Sequence, residues 1–262
     1  MAAPVSSHHP TAVISPQAEL DSDVFVGPHC VIAARVRIGS GTRLESQVVV
    51  DGPTSIGPGN RFFPFCSIGS QPQDLKFEGE ESFLEIGAHN VFREYVNVNR
   101  GTRGGGGTTR IGDHGYFMVN VHIAHDCILG NHVLMANAAT LSGHVTIDDH
   151  ATIGAFSAVH QFCRVGAYGW VGGFTVVTKD VLPYSKTVAP RETRAYGANS
   201  LGLERKGFTP SQIVKVEKAF RLLLRSRLNT TQAVAAIREQ LDGPEIETII
   251  DFIEASGRGV HK

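Results

Sequence analysis

The chain has 262 residues with a formal net charge of −1 at pH 7 and 19% charged residues, a balance that argues against a nucleic-acid or anionic-membrane binder. No apolar run approaches the ~18–20 residues that cross a bilayer, and the N-terminal stretch, with two histidines and a proline early, lacks the core of a signal peptide. A cytoplasmic protein without an integral membrane segment is expected, long enough for one large domain or two unequal ones.

From Ile14 an apolar residue recurs at every sixth position: Leu20, Val26, Ile32, Ile38, Leu44, Val50, Ile56, Phe62 and Ile68. The register resumes at Ile86, Phe92 and Val98, shifts by one residue, and then runs from Ile111 to Val177. A period of six suits neither a helix nor an alternating strand; it predicts a parallel β-helix built from hexapeptides. Two positions before the anchor the residue is usually small or modest in size, such as Cys30, Thr42 or Ala139, and points inward with it. A glycine often follows the anchor, as at Gly27, Gly57 and Gly154, where a turn is expected. With three hexapeptides to a coil, residues eighteen apart stack at about 4.7–4.9 Å. The four cysteines, Cys30, Cys66, Cys127 and Cys163, all take the small inward slot. Within each pair they lie two coils apart, about 10 Å on that spacing, beyond the ~7 Å reach of a disulfide. They read as core filler in a reducing compartment.

Two segments interrupt the repeat. Residues 71–84 keep the overall register but lose the anchors, and residues 100–109 (RGTRGGGGTT) break it. Both are predicted to project as loops, and loops on a rigid scaffold often carry function. The run Gly104–Gly107 lacks the Lys-Ser/Thr and the strand–helix setting of a phosphate loop and reads as flexible. The repeat ends near Thr178. Residues 179–208 form a connector with a basic cluster (Arg191, Arg194, Arg205, Lys206). Thr209-Pro210 opens a helix with Ile213, Val216, Phe220 and Leu223 on one face, and further helices are predicted at about Thr230–Leu241 and Pro244–Ala255. The expected division is a β-helix over 1–187 and a connector with a three-helix region over 188–262, the helices capping the last coil.

Seven histidines fall between 114 and 160. His114, His132 and His150 are eighteen apart and each lies three residues past an anchor, at a tight turn that Asp, Asn and His tolerate. His122, His125, His144 and His160 follow no single turn rule, yet lie along one wall or its corner over three coils. Outward positions need no histidine for packing, so these four are expected to form a site. Metal ligation is one chemistry open to them. However, a hexapeptide-repeat carbonic anhydrase would place two histidines five apart on one coil, unlike His122-Ile-Ala-His125. The preferred reading is a metal-free general base, since imidazole has a reference pKa near 6.5. Asp126 could orient His125, although adjacent strand residues often face opposite ways.

Three ordered motifs stand out: Asn120-Val-His122-Ile-Ala-His125-Asp-Cys127, Leu141-Ser-Gly143-His144-Val, and Ala158-Val-His160-Gln161-Phe162-Cys163. With Gln73-Asp74-Leu-Lys76 and Asn199…Arg205-Lys206-Gly-Phe208, they resemble the UDP-N-acetylglucosamine 3-O-acyltransferases that open lipid A synthesis, over essentially the whole chain. The resemblance implies a left-handed β-helix, a homotrimer with sites between subunits, and transfer of a 3-hydroxyacyl group from acyl carrier protein to the sugar 3-hydroxyl. The donor would be the carrier's phosphopantetheine thioester, with no further cofactor. It implies His125 as base with Asp126 beside it, and the Gly143 N–H as oxyanion donor. Gln73, Asp74, Lys76, His122, His144 and His160 would line the sugar and pantetheine region. Gln161, Asn199, Arg205 and Lys206 would hold the nucleotide, and Gly173 and Gly169 would leave an acyl groove open. The chain departs from the pattern at Asn99, where the family usually has histidine, and at Leu201, where it usually has a glutamate serving the ribose. The connector between Tyr184 and Gly197 is also one residue longer. These departures leave open another acceptor, for example a 3-amino UDP-sugar acylated to an amide, or another acyl donor.

Overall fold

Each hexapeptide contributes a strand of two to four residues, and the strands assemble into three parallel sheets of nine, eight and nine strands. This computed structural model describes residues 8–189, 195, 197–256 and 260. Successive strands of a sheet are one coil apart: Val13 pairs with Val31 and Ile14 with Ile32. Across the first projecting loop Ile68 pairs with Val98, and across the second Val98 pairs with Ile123. Both interruptions therefore leave the wall and return to it with the anchors aligned. The described residues up to 189 form one compact unit, a left-handed parallel β-helix, and those from 195 onward form a second.

The six-residue period works because alternate residues of each short strand face opposite ways. The anchors fill the prism: Ile32, Leu44, Phe62, Ile68, Phe92, Phe117, Ile123 and Leu141 are essentially inaccessible. Phe62, Phe92 and Phe117 stack on successive coils with ring centroids 4.7 and 4.8 Å apart. Burying each such side chain contributes about 1.5–3 kcal/mol. The four cysteines are buried and unpaired, and burial pushes the Cys66 and Cys127 thiols up to about 12.

The corners differ from the sequence expectation. The left-handed backbone falls mainly on non-glycine residues: eighteen among the described residues have φ between 55° and 67°. His114, His132 and His150 are among them, and so is His144, at φ 63°. His144 therefore obeys the same turn rule as those three and is not off-register. The glycines directly after the anchors serve another need. A Cβ at Gly27 would lie 2.6 Å from the Glu45 carbonyl oxygen, and one at Gly154 would lie 2.3 Å from the Gly173 nitrogen. They are small because neighbouring coils approach closely there. The bulky corner residues gain from one another instead. Phe65 stacks on Tyr95, Phe156 on Phe174, and His89, His114, His132, His150, Tyr168 and Tyr184 form one exposed ring ladder with centroids 4.6–5.5 Å apart. Such stacking offsets part of the cost of a left-handed backbone at a residue with a Cβ.

The second unit contains four helices among its described residues: α1 (Ser200–Arg205), α2 (Pro210–Arg225), α3 (Thr230–Gln240) and α4 (Pro244–Glu254). The short α1, inside the connector, went undetected in the sequence; only six residues long, it carries no periodic apolar face. Thr209 and Asn229 cap α2 and α3 through reciprocal bonds with Gln212 and Gln232, satisfying backbone donors that would otherwise be orphaned. Ala219, Leu223, Ala233, Val234, Ile237, Ile246 and Ile250 make this unit's own core.

Candidate active site

Parallel pairing stacks His122 over Asn97 on one wall, and the following corner carries His125 and Asp126. The weaker partner of the sequence reading proves to be the central one. Asp126 adopts φ 60°, so it belongs to the corner and not to a strand, and strand alternation does not apply. Its carboxylate Oδ2 lies 2.8 Å from His125 Nδ1, and the Asp126 side chain is fully buried. The Thr102 N–H and hydroxyl donate to the two carboxylate oxygens at 2.8 and 2.6 Å. The Asp126 N–H donates to Thr109 Oγ1 at 2.8 Å. An ionised carboxylate only accepts, so in the neutral ring the imidazole nitrogen facing it carries the proton and the lone pair lies on Nε2.

His144, one coil on, meets His125 edge to face with centroids 5.1 Å apart and stacks on Phe162 at 4.5 Å. Its Nε2 lies 3.9 Å from Asp126 Oδ2. The ligand atoms of His125, Asp126 and His144 lie within 4.8 Å of one another, the set among the described residues that could hold a metal ion. Asp126 Oδ2, however, already receives Thr102 and His125. His122 Nδ1–H donates to Asn97 Oδ1, 2.8 Å away. Burial, and secondarily the charge of His125, pushes the His122 imidazole below its ordinary value.

Gly143 lies directly against the base. A Cβ there would fall 2.5 Å from His125 Cε1 and 2.7 Å from Nε2. Its neighbours bond in the ordinary coil pattern, Ser142 N–H to Val159 O and His144 N–H to His125 O, while the Gly143 N–H meets no acceptor among the described residues. A free backbone donor beside an imidazole is what an oxyanion requires.

The remaining candidates are less closely gathered. His160 is exposed, on the corner column of Ser142, with Nδ1 3.1 Å from the Gln161 carbonyl, and Gln161 is exposed too. In the first projecting loop Gln73 and Lys76 are exposed, and Asp74 Oδ1 accepts the Lys76 N–H at 3.0 Å. Asn99 is buried and its amide donates at 3.0 Å to Ser70 Oγ and to the Gln71 carbonyl, tying down the start of that loop. In the second unit the Asn199 side chain caps α1 by accepting from Gly202 N–H, Arg205 and Lys206 are exposed at its end, and Leu201 is exposed. Arg191 and Arg194 lie outside the described residues. Gly173 and Gly169 are both crowded by backbone: a Cβ would come 2.9 Å from Ala155 O at the first and 2.7 Å from Gly166 O at the second. Gly173 thus has a packing reason of its own.

Residues 180–261 match the family model described as Udp N-acetylglucosamine O-acyltransferase, domain 2. The curated acyl-[acyl-carrier-protein]--UDP-N-acetylglucosamine O-acyltransferase of Thermodesulfovibrio yellowstonii is 47% identical over 253 residues, 96% of this chain and 98% of that protein. The chain belongs to the UDP-N-acetylglucosamine O-acyltransferase family. A relative of the same name from Syntrophobacter fumaroxidans is also 47% identical over 96% of this chain. Among solved structures, LpxA of Acinetobacter baumannii matches with a TM-score of 0.70 and 42% identity, covering 98% of this chain and all of its own. The UDP-N-acetylglucosamine O-acyltransferase of Moraxella catarrhalis matches with a TM-score of 0.69 and 40% identity, again covering 98% of this chain. As a member of this acyltransferase family, the chain carries its buried carboxylate, imidazole and free N–H on consecutive coils of the β-helix.

Sequence reasoning missed Asn97, Thr102 and Thr109. Asn97 was within reach, since it precedes anchor Val98 as His122 precedes anchor Ile123. Thr102 left no signal, because it sits in the segment where the period fails.

Proposed function

We propose that the chain transfers a 3-hydroxyacyl group from acyl carrier protein to the 3-hydroxyl of UDP-N-acetylglucosamine, the first step of lipid A biosynthesis, by direct general-base catalysis. The observation that carries this reading is the His125–Asp126 pair, 2.8 Å apart over a buried carboxylate. His125 Nε2 takes the hydroxyl proton as the sugar oxygen attacks the thioester carbonyl. The tetrahedral oxyanion accepts the Gly143 N–H. Collapse breaks the C–S bond, and the imidazolium returns its proton to the departing pantetheine thiolate, so no acyl-enzyme forms. Each oxyanion donor in such sites is worth about 2.7–4 kcal/mol of barrier. Asp74, Lys76, Gln73, His122, His144 and His160 contact sugar and pantetheine, while Asn199, Gln161, Arg205 and Lys206 hold the nucleotide, the cations meeting the diphosphate. The acyl tail lies past Gly169 and Gly173. The working unit is a cytoplasmic homotrimer with sites between subunits, needing no cofactor beyond the carrier's thioester.

The test is a mass-spectrometric assay of purified protein with UDP-N-acetylglucosamine and a panel of 3-hydroxyacyl carrier proteins. An ester product in wild type, and loss of nearly all turnover in His125→Ala with the thermal transition unchanged, is the expected result. His125→Ala with a third of wild-type activity overturns the base assignment. Turnover only with a 3-amino UDP-sugar, giving an amide, overturns the acceptor.

A further inference from the structure

The glycine-rich interruption, whose Gly104–Gly107 run reads as flexible in the sequence, folds directly onto the Asp126 carboxylate. Thr102 is 5% exposed and places two donors on it, N–H to Oδ1 at 2.8 Å and Oγ1 to Oδ2 at 2.6 Å. The 3-10 turn Arg103–Gly105 then carries Gly105 over the same group, so close that a Cβ would fall 2.0 Å from Asp126 Cγ. Gly101 also closes on it, with its Cβ site 2.8 Å from Asp126 Oδ1. The loop is closed on itself by Gly105 and Gly107 N–H bonds to the Thr102 carbonyl, at 3.0 and 2.8 Å. These are the contacts of a clamp: a side-chain hydroxyl, a backbone donor and two glycines that let the backbone reach the carboxylate.

We infer that the loop 101–107 is a positioning element for acyl transfer, and that Thr102 is its positioning residue. Among the described residues, only Thr102 and His125 hydrogen-bond the Asp126 carboxylate. Its backbone is held at a corner, but the carboxylate plane is set by where its oxygens find donors. One oxygen takes only the Thr102 N–H, and the other is shared by the Thr102 hydroxyl and His125 Nδ1. Without the hydroxyl, Oδ2 keeps a single partner and the carboxylate can swing away from the imidazole. The base then loses its orientation toward the acceptor. Orientation errors on the scale of 1 Å cost up to about 100-fold in rate. Thr102 touches no reacting atom; it acts through Asp126 and His125.

Such a role presupposes that His125 is the base, and the experiment separates the two ideas. Thr102→Val, Thr102→Ser, Gly105→Ala and His125→Ala are compared with wild type in the hydroxyacyl-transfer assay. Thr102→Val is expected to lower kcat about 10- to 100-fold, with the UDP-sugar KM within twofold of wild type. Thr102→Ser, which keeps the hydroxyl, should recover most of the loss. The downfield Nδ1 proton signal of His125, identified by its disappearance in His125→Ala, should broaden or move in Thr102→Val and stay in Thr102→Ser. If Thr102→Val is too unstable to assay, Gly105→Ala serves the same purpose and should lower kcat selectively. Wild-type kcat in Thr102→Val while His125→Ala is inactive overturns the positioning role alone. So does a Thr102→Ser variant as slow as Thr102→Val. Activity in His125→Ala overturns the base assignment itself.

Discussion

His122 is the residue whose protonation the fold resists. Burial dominates, with the charge of His125 adding to it, and the contact of Nδ1 with Asn97 gives it a fixed place on the wall. A histidine whose native pKa is depressed makes the unfolded chain bind more protons than the native one, so stability rises with pH across the interval between the two values. As pH falls through the unfolded value of about 6.5, stability should begin to drop, and the loss should level off below the native value. Thermal unfolding from pH 8 to pH 5 checks this: wild type should lose more stability over that range than His122→Gln, which cannot titrate. Equal slopes for the two proteins would show that another group governs the acid limb. At this scale part of the candidate site was legible from offsets: His122 and His125 stand out as outward imidazoles, whereas Gly143 entered only through the motif resemblance. Asp126 was undervalued for a physical reason, since alternation holds only while the backbone is extended and at φ 60° it is not. His144 follows the corner rule at φ 63°, so its offset was no signal in itself, yet the structure packs it against His125.

Among elements, the three sheets hold together through columns of like residues, and the Phe62–Phe92–Phe117 column is the largest in the core. Removing its middle ring should leave a cavity that neighbouring coils cannot close, because their strands are pinned by hydrogen bonds on both sides. Phe92→Ala should therefore cost about 3–5 kcal/mol, measured by denaturant unfolding, with the cost at the upper end of that range if the two flanking rings stay stacked in place. A cost under 1 kcal/mol would mean that the coils relax toward each other. The walls were readable in the sequence because each strand needs only one anchor and one small residue to declare itself. The projecting loops were readable as interruptions but not as structures: their conformation depends on long-range partners, as Asn99 with Gln71 and Thr102 with Asp126 illustrate. In the second unit, α2 was legible through its cap, Thr209, whereas the Asn229 cap of α3 emerges only in the structure and α1 is too short to display a face.

For the molecule as a whole, every residue of the β-helix inherits its direction from the count of residues before it. The second projecting loop bears on this directly, since Val98 pairs with Ile123, a step that is no multiple of six. An odd surplus is taken up there without disturbing the walls on either side. One alanine inserted after Ala136, within the coils, should abolish cooperative unfolding of this unit, as seen by calorimetry. One glycine inserted in the 104–107 run should leave the transition within a few degrees of wild type, and lower turnover if the clamp on Asp126 is loosened. The coils thus behave like a reading frame: a single-residue slip is never healed downstream, and every later side chain is misread as inside or outside. Chain length is accordingly quantised within the walls and free in the loops. In a lineage built on this plan, insertions and deletions should accumulate at the projecting segments, next to the candidate site, which makes the least constrained lengths in the molecule also the ones best placed to alter what it is proposed to bind.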